Sequence, residues 1–230
     1  MIPISYSLSG KSPLYPGTQA LVQQQLRSIA KGDSSNAGSV SFSVHSGTHI
    51  DAPLHFCPDG APVAEVLQAE TVFAPAYCLE IPRTGLQALR PEDLEPHLPG
   101  IAGAEALLIR TGMCTLRDNP RYTADYPWVD PAVPDLLRKH LPRLRLFGID
   151  AISVSNPAHR EEGRACHRNF LCGKPPVILL EDLDLSDSRI PGRPWTLRIY
   201  PWILENIDAT PVIALLDDAD ASGRTGGGKP

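Results

Sequence analysis

The stretch His45-Ser-Gly-Thr-His49-Ile-Asp51-Ala-Pro-Leu-His55 gathers three of the seven histidines and a carboxylate within eleven residues. Neutral imidazole and carboxylate are borderline-to-hard ligands, a set that holds zinc, manganese or iron without any thiolate. A divalent ion so held lowers the pKa of a bound water towards neutrality and polarises a carbonyl oxygen. Metal-assisted attack of water on a small carbonyl compound is the chemistry this pattern suggests first. The competing reading is a set of satisfied core or surface histidines, and clustering on one face argues against it.

That face follows from parity, because alternate side chains of an extended chain point to opposite sides. From Val40 to Phe56 the even positions are mostly apolar or β-branched, whereas His45, His49, Asp51 and His55 are all odd. A helix would align His45 with His49 but would turn Asp51 away, and Pro53 would break it. The spacing therefore predicts a strand running into an extended loop. Gly47 is expected to let the backbone approach the ion or substrate.

The elements that must position these groups form a mixed α/β pattern. Short apolar runs closed by turn signals predict strands at 40–44, 76–81, 106–110, 144–149, 177–180, 195–200 and 212–216. Helices are expected at 18–30, 91–98, 131–139 and 161–172. Several strands deliver polar residues at their ends, where α/β folds tend to place chemistry: Arg110, Asp150, Glu181 and Asp182. For Arg110 and Asp150 an ion pair competes evenly with a site role. Glu181 is favoured as a second carboxylate, since a two-metal site needs one to bridge. His167 lies on the helix that precedes the Glu181 strand, so both side chains can return to one cleft; His159 lies in a loop with nothing to aim it. His97 and His140 are expected to face solvent.

The chain has 230 residues, 42% hydrophobic and 20% charged, with a net charge of −5. These values suit one soluble globular domain over 1–222. The final Gly-Arg-Thr-Gly-Gly-Gly-Lys-Pro, of which 223–230 is the predicted tail, carries no fold information. Scattered basic residues and acidic balance argue against nucleic acid as a partner. No signal-like N-terminus or bilayer-length apolar run is present, so no membrane association and a cytoplasmic location are expected. Five cysteines without C-x-x-C spacing are read as free thiols, buried or incidental. Cys57 and Cys166 stand out only as neighbours of site candidates.

The string His-Ser-Gly-Thr-His-Ile-Asp-Ala-Pro-Leu-His-Phe at 45–56 resembles the H-x-G-T-H-x-D-x-P-x-H signature of the cyclase family that includes bacterial kynurenine formamidase and isatin hydrolase. Tyr15-Pro16-Gly17, Leu108-Ile-Arg-Thr-Gly112, Gly148-Ile-Asp150, His167-Arg168 and Glu181-Asp-Leu183 resemble further segments of that family. The resemblance implies a swivelling β/β/α domain, assembled as a homodimer or homotetramer. It also implies His45, His49 and Asp51 on a first metal, Asp51 and Glu181 bridging, His167 on a second, His55 as proton donor and acceptor, and Tyr15 in contact with substrate. Zn²⁺, as one or two ions, or Mn²⁺ is the implied cofactor. The implied reaction is hydrolysis of a C–N bond in a small aromatic amide, formamide or cyclic amide resembling N-formylkynurenine or isatin. A metal-dependent cyclase or dehydratase and a noncatalytic metal-binding protein are the alternatives. Tyr15 stands where formamidases carry Trp, Asn156 replaces an Asp before Pro, and Lys174-Pro175-Pro176 lengthens the spacer between His167 and Glu181.

Overall fold

A computed structural model describes residues 1–68 and 70–219; the expected tail lies outside the described residues. The main sheet has eight strands: β1 (Ile2–Pro3), β2 (His49–Asp51), β3 (Thr71–Glu80), β4 (Ala106–Arg110), β5 (Leu146–Ile149), β6 (Ile178–Glu181), β7 (Pro194–Pro201) and β8 (Ala209–Asp218). Strands β3, β4, β5 and β6 run parallel as successive neighbours. β6 then pairs antiparallel with β2, β2 with β8, β8 with β7, and β7 with β3. Seven strands thus close into a ring, and β1 pairs with β8 beside β2. Closure leaves these strands no open hydrogen-bonding edge for intermolecular pairing.

The pleat sorts side chains onto two faces. Ile50, Ala106, Leu108, Leu146, Ile178 and Leu180 fall in one buried cluster. Their neighbours Leu107, Ile109, Phe147, Ile149 and Leu179 fall in another, shared with helices α1 (Val133–His140) and α2 (Arg160–Leu171). Burial on both faces is why these strands read as unbroken apolar runs. Helix α2 buries Gly163, Cys166, His167, Phe170 and Leu171, the spacing of one helical stripe. Phe170 stacks on Phe147 with ring centroids 4.8 Å apart. Glu161 and Glu162 occupy the first turn of α2, where negative charge complements the helix dipole.

Three expectations need correction. Instead of a helix at 18–30, Val22–Arg27 pairs antiparallel with Ala37–Ser41 as a hairpin. Val22, Leu26 and Ile29 form a helix-like stripe in sequence but are all more than half exposed, so no core contact rewards a helix and strand pairing prevails. The strand expected at 40–44 ends at Ser41, and His45 reaches the site from a turn. Cys57 and Cys172 form a disulfide across 115 residues, while Cys78, Cys114 and Cys166 are free and buried. The fold creates that pairing, and no local spacing announces it. The helix from Pro91 tightens after Leu94 into a 3₁₀ turn through Ile101. Among the described residues no helix is long and apolar enough to cross a membrane.

Candidate metal centre

Strands β2 and β6 lie side by side with Glu181 opposite His49 and Leu179 opposite Asp51. Ile50 and Leu180 turn into one core, so His49, Asp51 and Glu181 project from the opposite face, towards α2. Helix α2 brings His167 to the same place. His49 Nε2 stands 3.4 Å from Asp51 Oδ1 and 3.6 Å from Glu181 Oε2. His167 Nε2 stands 3.6 Å from Glu181 Oε1 and 3.8 Å from Asp51 Oδ2. Donors bonded tetrahedrally to zinc at about 2.1 Å are roughly 3.4 Å apart, so these separations are those of co-ligands rather than of hydrogen bonds.

Asp51 is 1% exposed, and neither of its carboxylate oxygens accepts a hydrogen bond among the described residues. His45 Nδ1 lies 2.9 Å from Oδ1 but without hydrogen-bond alignment. An ionised carboxylate left this way is expensive unless a cation completes it. The donor set therefore fits a divalent ion.

The imidazoles are aimed from behind. His49 Nδ1 donates to Gly47 O and His167 Nδ1 to Gly163 O, each at 2.8 Å. A carbonyl only accepts, so both Nε2 lone pairs are directed at the carboxylates. Gly47 has a φ of +64°, and a Cβ there would lie 2.3 Å from Leu8 Cδ2. It turns the backbone against Leu8 and presents its carbonyl to His49. Glu181 Oε1 accepts from Val154 N at 2.8 Å and from Ser153 Oγ at 3.1 Å, which leaves Oε2 the freer oxygen.

His45 and His55 form an outer, quarter-exposed layer. Pro53 starts the 3₁₀ turn that carries His55. The His55 ring lies 4.2 Å from that of His45. Asp208 holds both: Oδ2 is 2.8 Å from His55 Nδ1 and 3.1 Å from His45 Nε2. Sequence reasoning missed Asp208. It stands just before β8 and joins the site because Ala52 N donates to its carbonyl where the ring closes; its only sequence signal is a carboxylate at a strand end, the feature that marked Glu181.

Burial works to lower the pKa of His45, but Asp208 and Asp51 outweigh it and push it up to about 10. Burial likewise opposes protonation of His49 and His167, and their neighbouring carboxylates raise both. Asp51 is held well below the usual carboxylate range because His45 and His49 outweigh its burial. Asp208 is also held far below that range, by His45 and His55.

A cavity of about 420 Å³ opens over the cluster, with Tyr15, Phe56 and Ile152 as apolar wall and Ser155 and Arg160 as polar border. A second cavity of about 530 Å³ beside Arg117 includes none of the histidines, and Arg117 there is bound to Asp182 at 2.6 Å. The chemistry therefore belongs to the first. His159 stacks on Trp128 with centroids 4.5 Å apart, and His97 and His140 are exposed. Asp150 is neither a site residue nor a partner of Arg110: it accepts from Thr111 N, Thr111 Oγ1 and Gly112 N at 2.6–2.9 Å, pinning the loop after β4. Arg110 lies 3.9 Å from Glu80.

The model of the Cyclase family matches residues 2–156. The chain is also 33% identical over 218 residues to the kynurenine formamidase of Geobacillus thermodenitrificans, an alignment covering 94% of this chain and 96% of that one. The chain belongs to the Cyclase family. Solved relatives share its fold: isatin hydrolase A from Labrenzia aggregata, bound to benzyl benzoate, superposes with a TM-score of 0.74 at 19% identity, covering 95% of this chain and 93% of the other. Isatin hydrolase A from Ralstonia solanacearum gives 0.75 at 18% identity, covering 94% and 90%. The mixed α/β fold of this family is thus the fold of the chain.

Proposed function

We propose that this chain is a metal-dependent amidohydrolase that uses water to cleave the C–N bond of a small aryl amide, formamide or cyclic amide. The observation that carries this reading is Asp51, a buried carboxylate that accepts no hydrogen bond among the described residues, set among the imidazoles of His45, His49 and His167. His45, His49, Asp51, His167 and Glu181 would hold Zn²⁺ or Mn²⁺, as one or two ions. When bound, such an ion acidifies the water that serves as nucleophile and polarises the scissile carbonyl.

The remaining work falls to the chain's own groups. An amine leaves an amide only when its nitrogen is protonated, and His55 stands at the cavity to deliver that proton. Asp208 accepts from His55 Nδ1, which fixes the tautomer and leaves Nε2 as the atom that exchanges protons with water and substrate. Tyr15, Phe56 and Ile152 would receive an aromatic ring and exclude water around it. The kynurenine formamidase and isatin hydrolase relatives support N-formylkynurenine-like or isatin-like compounds as the substrate class, and the chain would work as a homodimer or homotetramer. Screening metal-loaded protein against N-formylkynurenine, isatin and simple aryl formamides tests this reading. Turnover of at least one is expected; tight metal binding with turnover of none would overturn it.

A further inference from the structure

The disulfide Cys57–Cys172 joins the two segments that carry the outer and inner histidines. Cys57 lies two residues after His55, and Cys172 lies five residues after His167 at the C-cap of α2. Between them sits Phe56. Its ring stacks on His167 with centroids 4.7 Å apart and planes at 22°, and meets His55 edge-on at 4.7 Å. The backbone hydrogen bonds that hold this turn are short-range: His55 N donates to Ala52 O, and both Phe56 N and Cys57 N donate to Pro53 O. The disulfide is a covalent link between this turn and the C-terminal end of α2.

We propose that the Cys57–Cys172 disulfide is a positioning element of the metal centre: it presses Phe56 onto the His167 ring, and its reduction by a dithiol loosens metal binding. The proposal rests on the reading of His167 as a metal ligand. His167 is anchored through Nδ1 by its own helix, and Phe56 covers one face of its ring. Groups that orient metal ligands from behind typically change metal affinity by about 10–100-fold when removed.

The link is open to chemistry. Cys172 is exposed and Cys57 half-buried. The reagent's first thiolate attacks one cystine sulfur and expels the other cysteine as thiolate; its second thiol then resolves the mixed disulfide. The reagent ends as its own disulfide, having given two electrons and two protons, and the protein ends with two thiols. Cys78, Cys114 and Cys166 are buried and offer no exposed competing partner on reoxidation.

The experiment is competition of Zn²⁺ between the protein and a chromophoric chelator, for wild type and Phe56→Ala, each oxidised and dithiol-reduced, with circular dichroism as a check on folding. Reduction is expected to weaken Zn²⁺ binding by wild type about tenfold or more, with the far-ultraviolet spectrum unchanged and affinity regained after reoxidation. In Phe56→Ala the oxidised protein should already bind weakly, and reduction should cost less than in wild type, because the link acts through the missing ring. Equal affinity of oxidised and reduced wild type, a loss that accompanies unfolding, or equal losses in wild type and Phe56→Ala would each overturn the positioning role alone. Failure of oxidised wild type to bind Zn²⁺ would overturn the functional reading and this proposal together.

Discussion

Asp51→Asn is the substitution that separates a metal centre from an ordinary buried polar cluster. Asparagine keeps the shape of the side chain but loses the charge, and only one of its two terminal atoms can ligate. Asp51 lies 2.9 Å from His45, 3.4 Å from His49 and 3.8 Å from His167, so one change touches every imidazole proposed as a ligand. An ion that binds only the folded chain stabilises it by RT ln(1 + [L]/Kd), about 2.7 kcal/mol at a hundredfold excess over Kd. For a chain of this length each kcal/mol moves Tm by about 2–4 °C, so wild type should gain roughly 5–10 °C. Calorimetry with Zn²⁺ and with chelator measures this directly. Asp51→Asn should gain less than about 2 °C at the same Zn²⁺ concentration and still fold in chelator, at a lower Tm than wild type, since it removes the carboxylate that His45 and His49 hold ionised. An undiminished gain in the variant would refute the reasoning, as would a variant that fails to fold in chelator.

His55→Ala should keep its metal yet lose about two to four orders of magnitude in turnover of an amide, and less on an aryl ester whose leaving group departs without a proton; equal losses on both would count against the proton-donor role. His167→Ala should lower metal stoichiometry in elemental analysis whereas His159→Ala should not, because His159 packs on Trp128 away from the cluster; the reverse would reassign the ligand. Metal affinity should fall as pH falls, since His45, His49 and His167 are all raised and the ion must displace their protons. Calorimetric titrations from about pH 8 down to about pH 6 that show constant affinity would contradict that competition.

How far the sequence carried depends on the range of the interaction involved. Ala106–Arg110 matches its expected strand to the residue and α2 differs by one at each end, because apolar runs and helical stripes are local and the core rewards them. His49, Ile50 and Asp51 obey the pleat as expected. The alternation fails to extend back to His45, where Gly47 turns the chain. The stripe Val22, Leu26, Ile29 shows the opposite limit: a helical period is informative only if the fold offers it a core, and here those residues face outward. Asp208 and the Cys57–Cys172 link were invisible for another reason. Each meets its partner across more than a hundred residues, through closure of the ring or docking of α2, and neither has a local pattern to betray it.

The most direct test of the account is turnover of an aryl formamide by one preparation in three states: as purified, stripped by chelator to less than about a tenth of an ion per chain by elemental analysis, and reloaded with Zn²⁺ or Mn²⁺. Activity should vanish on stripping and return in proportion to the ion regained by the wild type, while Asp51→Asn regains neither. Full activity in the stripped protein would contradict the central claim that His45, His49, Asp51, His167 and Glu181 work by holding a metal.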